Sequence, residues 1–335
     1  MAKKYAGAAV GLLISGLALY FVFRDLDFAI LAQEVTRFNL LYLPLLIFLY
    51  LLQFFIRGYR WRYLLPNGSE LSTLKLTESC IVGFFATCIL PLRAGEFARP
   101  FALNRWQGVR FATGFASVVT ERVFDVLTLL VLLGFCLPHL DNAPDFVVIG
   151  AKLLAGIAAA IISVMVFAYL KSDTLLSITK TVFSKIFGRR FPSLSEKIIH
   201  MAEDFISGLK AISSFRELCL VLFWSLVLWL VIALFYQVGL WSFGLYPSLI
   251  VGVVLNVLIA FAVAAPSAPG FLGTFQVGCL AALTGIYGYA QEFSTAYSVV
   301  LHAFQIGLTS IVALIVLKIE GLGIGEIWSS TKAAD

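Results

Sequence analysis

Leu90-Pro91-Leu92-Arg93-Ala94-Gly95-Glu96-Phe97-Ala98-Arg99-Pro100 runs straight on from an apolar segment, and Arg105 and Arg110 follow close behind. Four arginines and one glutamate thus stand where a greasy chain should carry lipid-facing side chains. Glu121, Arg122 and Asp125 come soon afterwards, inside another apolar segment. Ionisable groups at membrane depth are costly and by default mark a substrate or ion pathway. Whether this stretch crosses a bilayer or turns back within it sets the topology of everything that follows.

Composition fixes the solvent. The 335 residues are 61% hydrophobic and 13% charged, against about 25% charge in a soluble domain, and the mean hydropathy is +0.96. Closed β-barrels show weak alternation over strands of ~10 residues, whereas long unbroken apolar runs are carried across lipid only by helices. The fold class is therefore all-α, a polytopic membrane bundle forming one domain over residues 1–320, with a short tail at 321–335. Lys3-Lys4 and the apolar run Tyr5–Phe23 exceed the ~7–15 residues of a signal-peptide core and precede no A-x-A-like site, so a retained first helix is expected. Cys80, Cys88, Cys136, Cys219 and Cys279 form no C-x-x-C and neighbour no histidine at metal-ligand spacing. They read as buried apolar thiols, with no metal and no cofactor. The net charge of +5 carries topology information rather than a nucleic-acid signal.

Candidate spans are Tyr5–Phe23, Phe38–Ile56, Leu76–Leu92, Phe111–Leu137, Phe146–Leu170, Leu218–Gly239, Ser248–Ala265, Phe275–Tyr289 and Thr295–Leu317. Leu76–Leu92 and Phe275–Tyr289 are short for the ~20 residues a crossing needs. Lys3 and Lys4 place the N-terminus in the cytoplasm, and Arg57, Arg60, Arg62 and Lys75 place the second loop there too. The basic stretch from Lys171 to Glu217 should also be cytoplasmic. These assignments agree only if Leu76–Leu92 belongs to a re-entrant or broken hairpin that returns to its starting side; a full crossing would reverse the count.

Ala264-Ala265-Pro266-Ser267-Ala268-Pro269-Gly270-Phe271-Leu272-Gly273 is a second break of similar shape. Paired Pro/Gly-interrupted apolar segments, one per half, point to a binding site between repeats of a transporter-like fold, here a possible inverted repeat. Two unrelated Pro-rich loops are the alternative. Within the cytoplasmic stretch, Ser193-Leu194-Ser195-Glu196 fits a capping box. Leu194, Ile198, Met201, Phe205, Leu209 and Ile212 recur at helical spacing, giving an amphipathic surface helix.

On a helix over Phe111–Leu137, Ser117, Thr120, Glu121, Asp125 and Thr128 fall on one stripe, with Arg122 at its rim and Val118, Val119, Val126 and Val131 largely elsewhere. Each charge at a helix centre costs about 2.5–3.5 kcal/mol on insertion scales, so these three must face the bundle interior. They form either a structural Arg122–carboxylate pair or the wall of a polar cavity for an anionic substrate. The surplus of Arg93 and Arg99 over Glu96 favours the cavity, and arginine's planar fork suits phosphate oxygens. In the last span Ser298, His302, Gln305 and Thr309 share a face. There His302 is either a proton-responsive group or a neutral interhelical tie, the tie being favoured; Asn256 and Gln237 read as similar ties. There is no G-x-S-x-G, no H-E-x-x-H and no P-loop motif, so no enzyme is expected.

Pro91–Arg99, Thr120-Glu121-Arg122-Val123-Phe124-Asp125 and Pro266–Gly273 occur in an order that resembles the flippase-like family, named also after the transmembrane region of lysylphosphatidylglycerol synthases. The resemblance covers nearly the whole chain. It implies about eight helices with re-entrant elements, acting on lipids, in a stand-alone form without the soluble aminoacyltransferase domain. It carries over to Arg93, Gly95, Glu96 and Arg99, to Glu121, Arg122 and Asp125, and to Pro269, Gly270 and Gly273. Two positions depart from it: Phe271 stands where the family usually repeats glycine, and Gln276 where an acidic residue is common.

The resulting expectation is a lipid flippase or scramblase-like translocator of the bacterial cytoplasmic membrane. Its head-group site is expected at Arg93, Gly95, Glu96, Arg99, Glu121, Arg122, Asp125, Pro266, Pro269, Gly270, Gly273, Gln276, His302 and Gln305. The lipid would be an anionic phospholipid, a prenyl-phosphate-linked lipid or a hopanoid-type lipid. An accessory protein for a membrane glycosyltransferase and a secondary transporter of a small anion are the rivals.

Overall fold

The structure is a computed structural model; it describes residues 2–90, 95–136, 215–265, 267–323 and 325–326, with isolated positions between 137 and 214. Arg93, Pro266, nearly all of the Phe146–Leu170 span and the amphipathic Ser193–Ile212 helix lie outside the described residues. Among the described residues the chain is helical, with no strand. The helices are α1 (Ala2–Phe23), α2 (Phe28–Thr36), α3 (Leu43–Trp61), α4 (Thr73–Ile89), α5 (Gly95–Gln107), α6 (Phe111–Cys136), α7 (Phe215–Ser242), α8 (Leu249–Ala264), α9 (Thr274–Leu283) and α10 (Gln291–Glu320). Among the described residues three stretches are long and apolar enough to cross a membrane: Leu40–Leu64, Phe215–Ser242 and Gln291–Glu320. The chain is a multi-pass membrane helix bundle.

Local chemistry explains the boundaries. Asp27 starts α2 by accepting the Ala29 and Ile30 amides at 2.8 and 3.3 Å, the usual use of an N-cap carboxylate. Asp25 pairs with Arg24 at the surface, 2.7 Å apart. Helix α10 ends where Gly321 takes φ 65°, the left-handed conformation glycine adopts at low cost. Helix α3 runs on past Ile56, the expected end of its span, through Arg57 and Arg60 to Trp61. It can do so because both arginines are buried against acidic partners.

The direction of each helix follows from its contacts. Tyr50 packs on Phe235 and Arg60 donates to Ser225, so α3 and α7 are antiparallel. Gly239 lies against Leu301 and Phe243 against Tyr297, so α7 and α10 are antiparallel as well. Helices α3 and α10 therefore point the same way, with Arg62, Lys75 and Lys318 at one shared end.

Helices α4 and α5 form a hairpin that returns to that end. Gln107, the last residue of α5, accepts from the Ser72 amide at 2.9 Å and donates to the Ser72 carbonyl at 3.2 Å, while Lys75 pairs with Glu320 at 2.5 Å. The two arms approach so closely that a methyl group on Gly95 would overlap the Gly83 carbonyl and Thr87. Helices α8 and α9 form a second hairpin with its mouth at the other end of α10. There Thr284 donates to Ser294 at 2.8 Å, and Gln237 ties α7 to Pro247 and Gly252 at 2.9 and 3.0 Å. At 1.5 Å per residue, α4, α5, α8 and α9 measure about 15–26 Å, short of the ~30 Å hydrocarbon core.

The hairpin tips meet. A Cβ on Gly270 would stand 3.6 Å from the Cys88 carbonyl oxygen in the last turn of α4. Helix α1 backs the second tip, with Ser15 Oγ accepting the Ala268 amide at 2.8 Å. Around both tips lies one large apolar core, including Phe54, Trp61, Phe235 and Tyr297. Cys80, Cys136 and Cys279 are buried and Cys88 is half-buried, but Cys219 is exposed, a correction to its reading as a buried thiol.

Candidate functional site

Glu121 and Asp125 sit one helical turn apart on α6, and four arginines converge on them. Arg99 from α5 grips Glu121 with two parallel bonds of 3.0 and 2.9 Å. From α3, Arg57 reaches Glu121 at 3.1 Å, and Arg60 reaches Asp125 at 2.7 Å and Glu121 at 3.1 Å. Arg122 completes the set, 2.7 Å from Glu121 and 3.3 Å from Asp125. Trp229 of α7 donates to Asp125 at 3.1 Å. Aromatic rings cover the guanidinium faces, Trp61 under Arg99 at 4.4 Å and Phe84 under Arg57 at 5.2 Å, an attraction that desolvation strengthens.

Four guanidinium groups against two carboxylates leave a formal excess of two positive charges. Glu121 and Arg60 are fully buried, and Arg57 and Arg99 nearly so. The side chain of Arg122 keeps 36% of its surface exposed. Several guanidinium nitrogens have no hydrogen-bond partner, among them Arg57 Nε, Arg99 Nε and Arg122 Nε, and Asp125 Oδ2 accepts no hydrogen bond although Arg122 lies 3.3 Å away. Buried polar atoms without partners are expensive, and here they cluster beside a void.

That void is a cavity of about 260 Å³ between the two hairpins, α3, α6, α7 and α10. It brings together Gly95, Glu96, Arg99, Arg122, Asp125, Gly270, His302 and Gln305 from the sequence-derived set. Glu121 stands behind its wall, and Pro269, Gly273 and Gln276 belong to the second tip without lining the space. The stripe on α6 holds: Ser117, Thr120, Glu121, Asp125 and Thr128 are buried, while Val119, Val126 and Val131 are exposed. Val118 is buried too, unlike Val119, Val126 and Val131.

At the second tip Gln276 acts as a relay. Its Oε1 accepts the Gly273 amide at 2.9 Å, so its Nε2 faces His302 Nδ1 at 3.1 Å as a donor. Nδ1 must then accept, which puts the ring proton on Nε2, and the imidazole lies beside the Gly270 backbone. Phe275 stacks on the imidazole at 4.4 Å. His302 is thus a neutral tie between α10 and the tip. Phe271 holds φ 61°, a left-handed backbone that costs an ordinary residue about 1–2 kcal/mol. The resemblance expects glycine at this position.

Arg57 and Arg60 were missed as site residues because the sequence reading placed them in a cytoplasmic loop. The signal was present: Leu46, Tyr50, Gln53, Arg57 and Arg60 continue one helical register, all of them buried. Arg62 is only partly buried, and Arg105 and Arg110 are exposed, as loop and helix-end charges should be. Among the described residues no three His, Cys, Asp or Glu side chains could jointly hold a metal ion.

Residues 8–313 match the family model described as the lysylphosphatidylglycerol synthase TM region. The chain belongs to this family. Its curated relatives include a protein named glycosyltransferase AglD from Haloferax volcanii, 25% identical over 286 residues that cover 78% of this chain and 46% of the relative. The chain thus spans about half the length of that relative. Two UPF0104 membrane proteins of Methanothermobacter thermautotrophicus are 24% and 27% identical, over 70% and 72% of both chains. No solved structure matches.

Proposed function

We propose that this family member is a lipid translocator that takes an anionic, phosphate-bearing head group into the cavity while the tails stay in the bilayer, without catalysing a covalent reaction. The observation that carries the reading is the excess of positive charge on the wall of a cavity built inside membrane helices, Arg57, Arg99 and Arg122 against Glu96 and Asp125. A cavity of about 260 Å³ is below the ~300–1,000 Å³ of drug-sized sites, so it suits a head group and not a whole lipid. Arg99 has both terminal nitrogens on Glu121. The unpaired Nε edges of Arg122 and Arg57 are therefore the groups left to meet phosphate oxygens.

In this reading the two hairpins are re-entrant, entering from opposite faces of the cytoplasmic membrane with tips meeting at Cys88 and Gly270. The end bearing Arg62, Lys75 and Lys318 faces the cytoplasm, as basic residues favour. The N-terminal lysines are taken to lie there too. A match to part of a protein named as a glycosyltransferase supports a membrane glycosyltransferase as partner.

The test is reconstitution of the full chain in liposomes containing labelled phosphatidylglycerol or labelled phosphatidylcholine. The expected result is faster movement of the anionic lipid, reduced at least tenfold by Arg122→Gln. Equal movement of both lipids, or no effect of that substitution, would sink the reading.

A further inference from the structure

Three walls of the cavity change from charged to neutral along the same direction. On α3 the series is Arg57, Gln53, Tyr50; on α7 it runs from Trp229, bonded to Asp125, to Tyr236; on α10 Gln305 and His302 lie toward the neutral side. Trp229 and Tyr236 are seven residues apart, about 10 Å along the axis. A phosphate fills only the charged end of that length.

Beyond it the wall offers amides. Gln53 is 8% exposed, lines the cavity and has no hydrogen-bond partner among the described residues. Gln305 Nε2 is buried and approaches the Tyr236 hydroxyl without reaching hydrogen-bond geometry. An amide both donates and accepts, as a hydroxyl does, and an unpaired buried amide is a standing cost that a ligand hydroxyl removes. Glu96, on the same cavity, is acceptor-only when ionised; it welcomes hydroxyl protons and repels a second phosphate.

We propose that the cavity takes a phosphate ester bearing a neutral polyhydroxyl group, a sugar or cyclic polyol, with phosphate at Arg57 and Arg122 and hydroxyls at Gln53, Gln305 and Glu96. This rests on the head-group reading above and names its substrate class. A cationic extension fits less well, because the net charge of the wall is positive and two of the three contacts are amides.

The experiment is isothermal titration calorimetry of the full chain in detergent with dihexanoyl lipids. Phosphatidylinositol and phosphatidylmethanol carry the same single charge and differ in the polyol, and phosphatidylethanolamine supplies a cation. The expected result is at least fivefold tighter binding of phosphatidylinositol than of either other lipid. Gln53→Leu and Gln305→Leu should each bring the ratio to phosphatidylmethanol down toward one. Equal binding of the inositol and methanol lipids by the native chain overturns the polyol site while leaving the anionic head-group reading intact. Tightest binding of phosphatidylethanolamine overturns it in favour of a cation at Glu96. If none binds, both readings fall. Myo-inositol 1-phosphate separates the sources: binding as tight as that of the lipid supports the polyol-phosphate site and overturns the lipid reading instead.

Discussion

The two ends of the cavity are held by different physics. At the charged end, two carboxylates and four arginines from α3, α5 and α6 lock one another, with Ser225 and Trp229 adding α7. Neither carboxylate can leave without stranding buried guanidinium charge, which is far more costly than losing a neutral contact. At the tip end, α10, α9 and α1 are joined by single neutral bonds through His302, Gln276 and Ser15. Each such bond contributes about 0.5–1.5 kcal/mol net and can be exchanged for another. The contrast assigns the fixed frame to the charged end and any rearrangement to the tips.

The comparison breaks most readily at Glu121, whose loss has the largest expected effect. Glu121→Ala leaves four arginines facing Asp125 alone and should cost about 3–5 kcal/mol. Scanning fluorimetry of the detergent-solubilised protein should show a large fall in Tm. Asp125→Ala should cost less, since Arg99 keeps its bidentate partner. A variant at Glu121 that unfolds with the native chain would show that the cluster is not the frame.

Next in size is the seam of the first hairpin. Gly95→Ala puts a methyl group into the Gly83 carbonyl and Thr87, and overpacking of this kind costs about 1–3 kcal/mol. Gly307→Ala on α10 meets nothing within 4 Å and should be neutral or stabilising by up to ~1 kcal/mol, as alanine favours helix over glycine. Equal Tm values for the two variants would mean that the α4–α5 contact is looser than the structure places it.

Much of this was legible in the residues. Composition fixed the class, the α6 stripe gave Glu121 and Asp125, and the two Pro/Gly breaks gave the hairpins that enclose the cavity. Arg57 and Arg60 were hidden because positive-inside counting treats arginines at a helix end as solvated. Only the partner chemistry on α6, tens of residues away, shows that they are buried. The Gln276–His302 tie was half visible: helical spacing set His302 on an inner face, but the partner comes from across a break whose geometry no periodicity encodes. Phe271 could be flagged only as a departure from a family pattern, and the strain at φ 61° needed the backbone.

For Gln276→Glu a small change in stability is expected only toward acid, where a charged imidazole pairs the new buried carboxylate, and this makes the substitution the sharpest test of the tip end. Gln276→Glu keeps an oxygen for the Gly273 amide but replaces the donor facing His302 Nδ1 with a second acceptor. The tie then requires a proton on Nδ1 as well as on Nε2, that is, a charged imidazole, and histidine is the side chain able to take up that proton near neutral pH. The substituted tie should therefore be complete toward acid and lost as pH rises. Translocation measured in liposomes between pH 5.5 and pH 8 should become steeply pH-dependent in this variant relative to the native chain. Superimposable profiles would show that the contact does not control the tip. A pH effect together with an unchanged Tm at pH 5.5 would place the moving part at Gly270–Gln276 and leave the arginine cluster as the fixed frame.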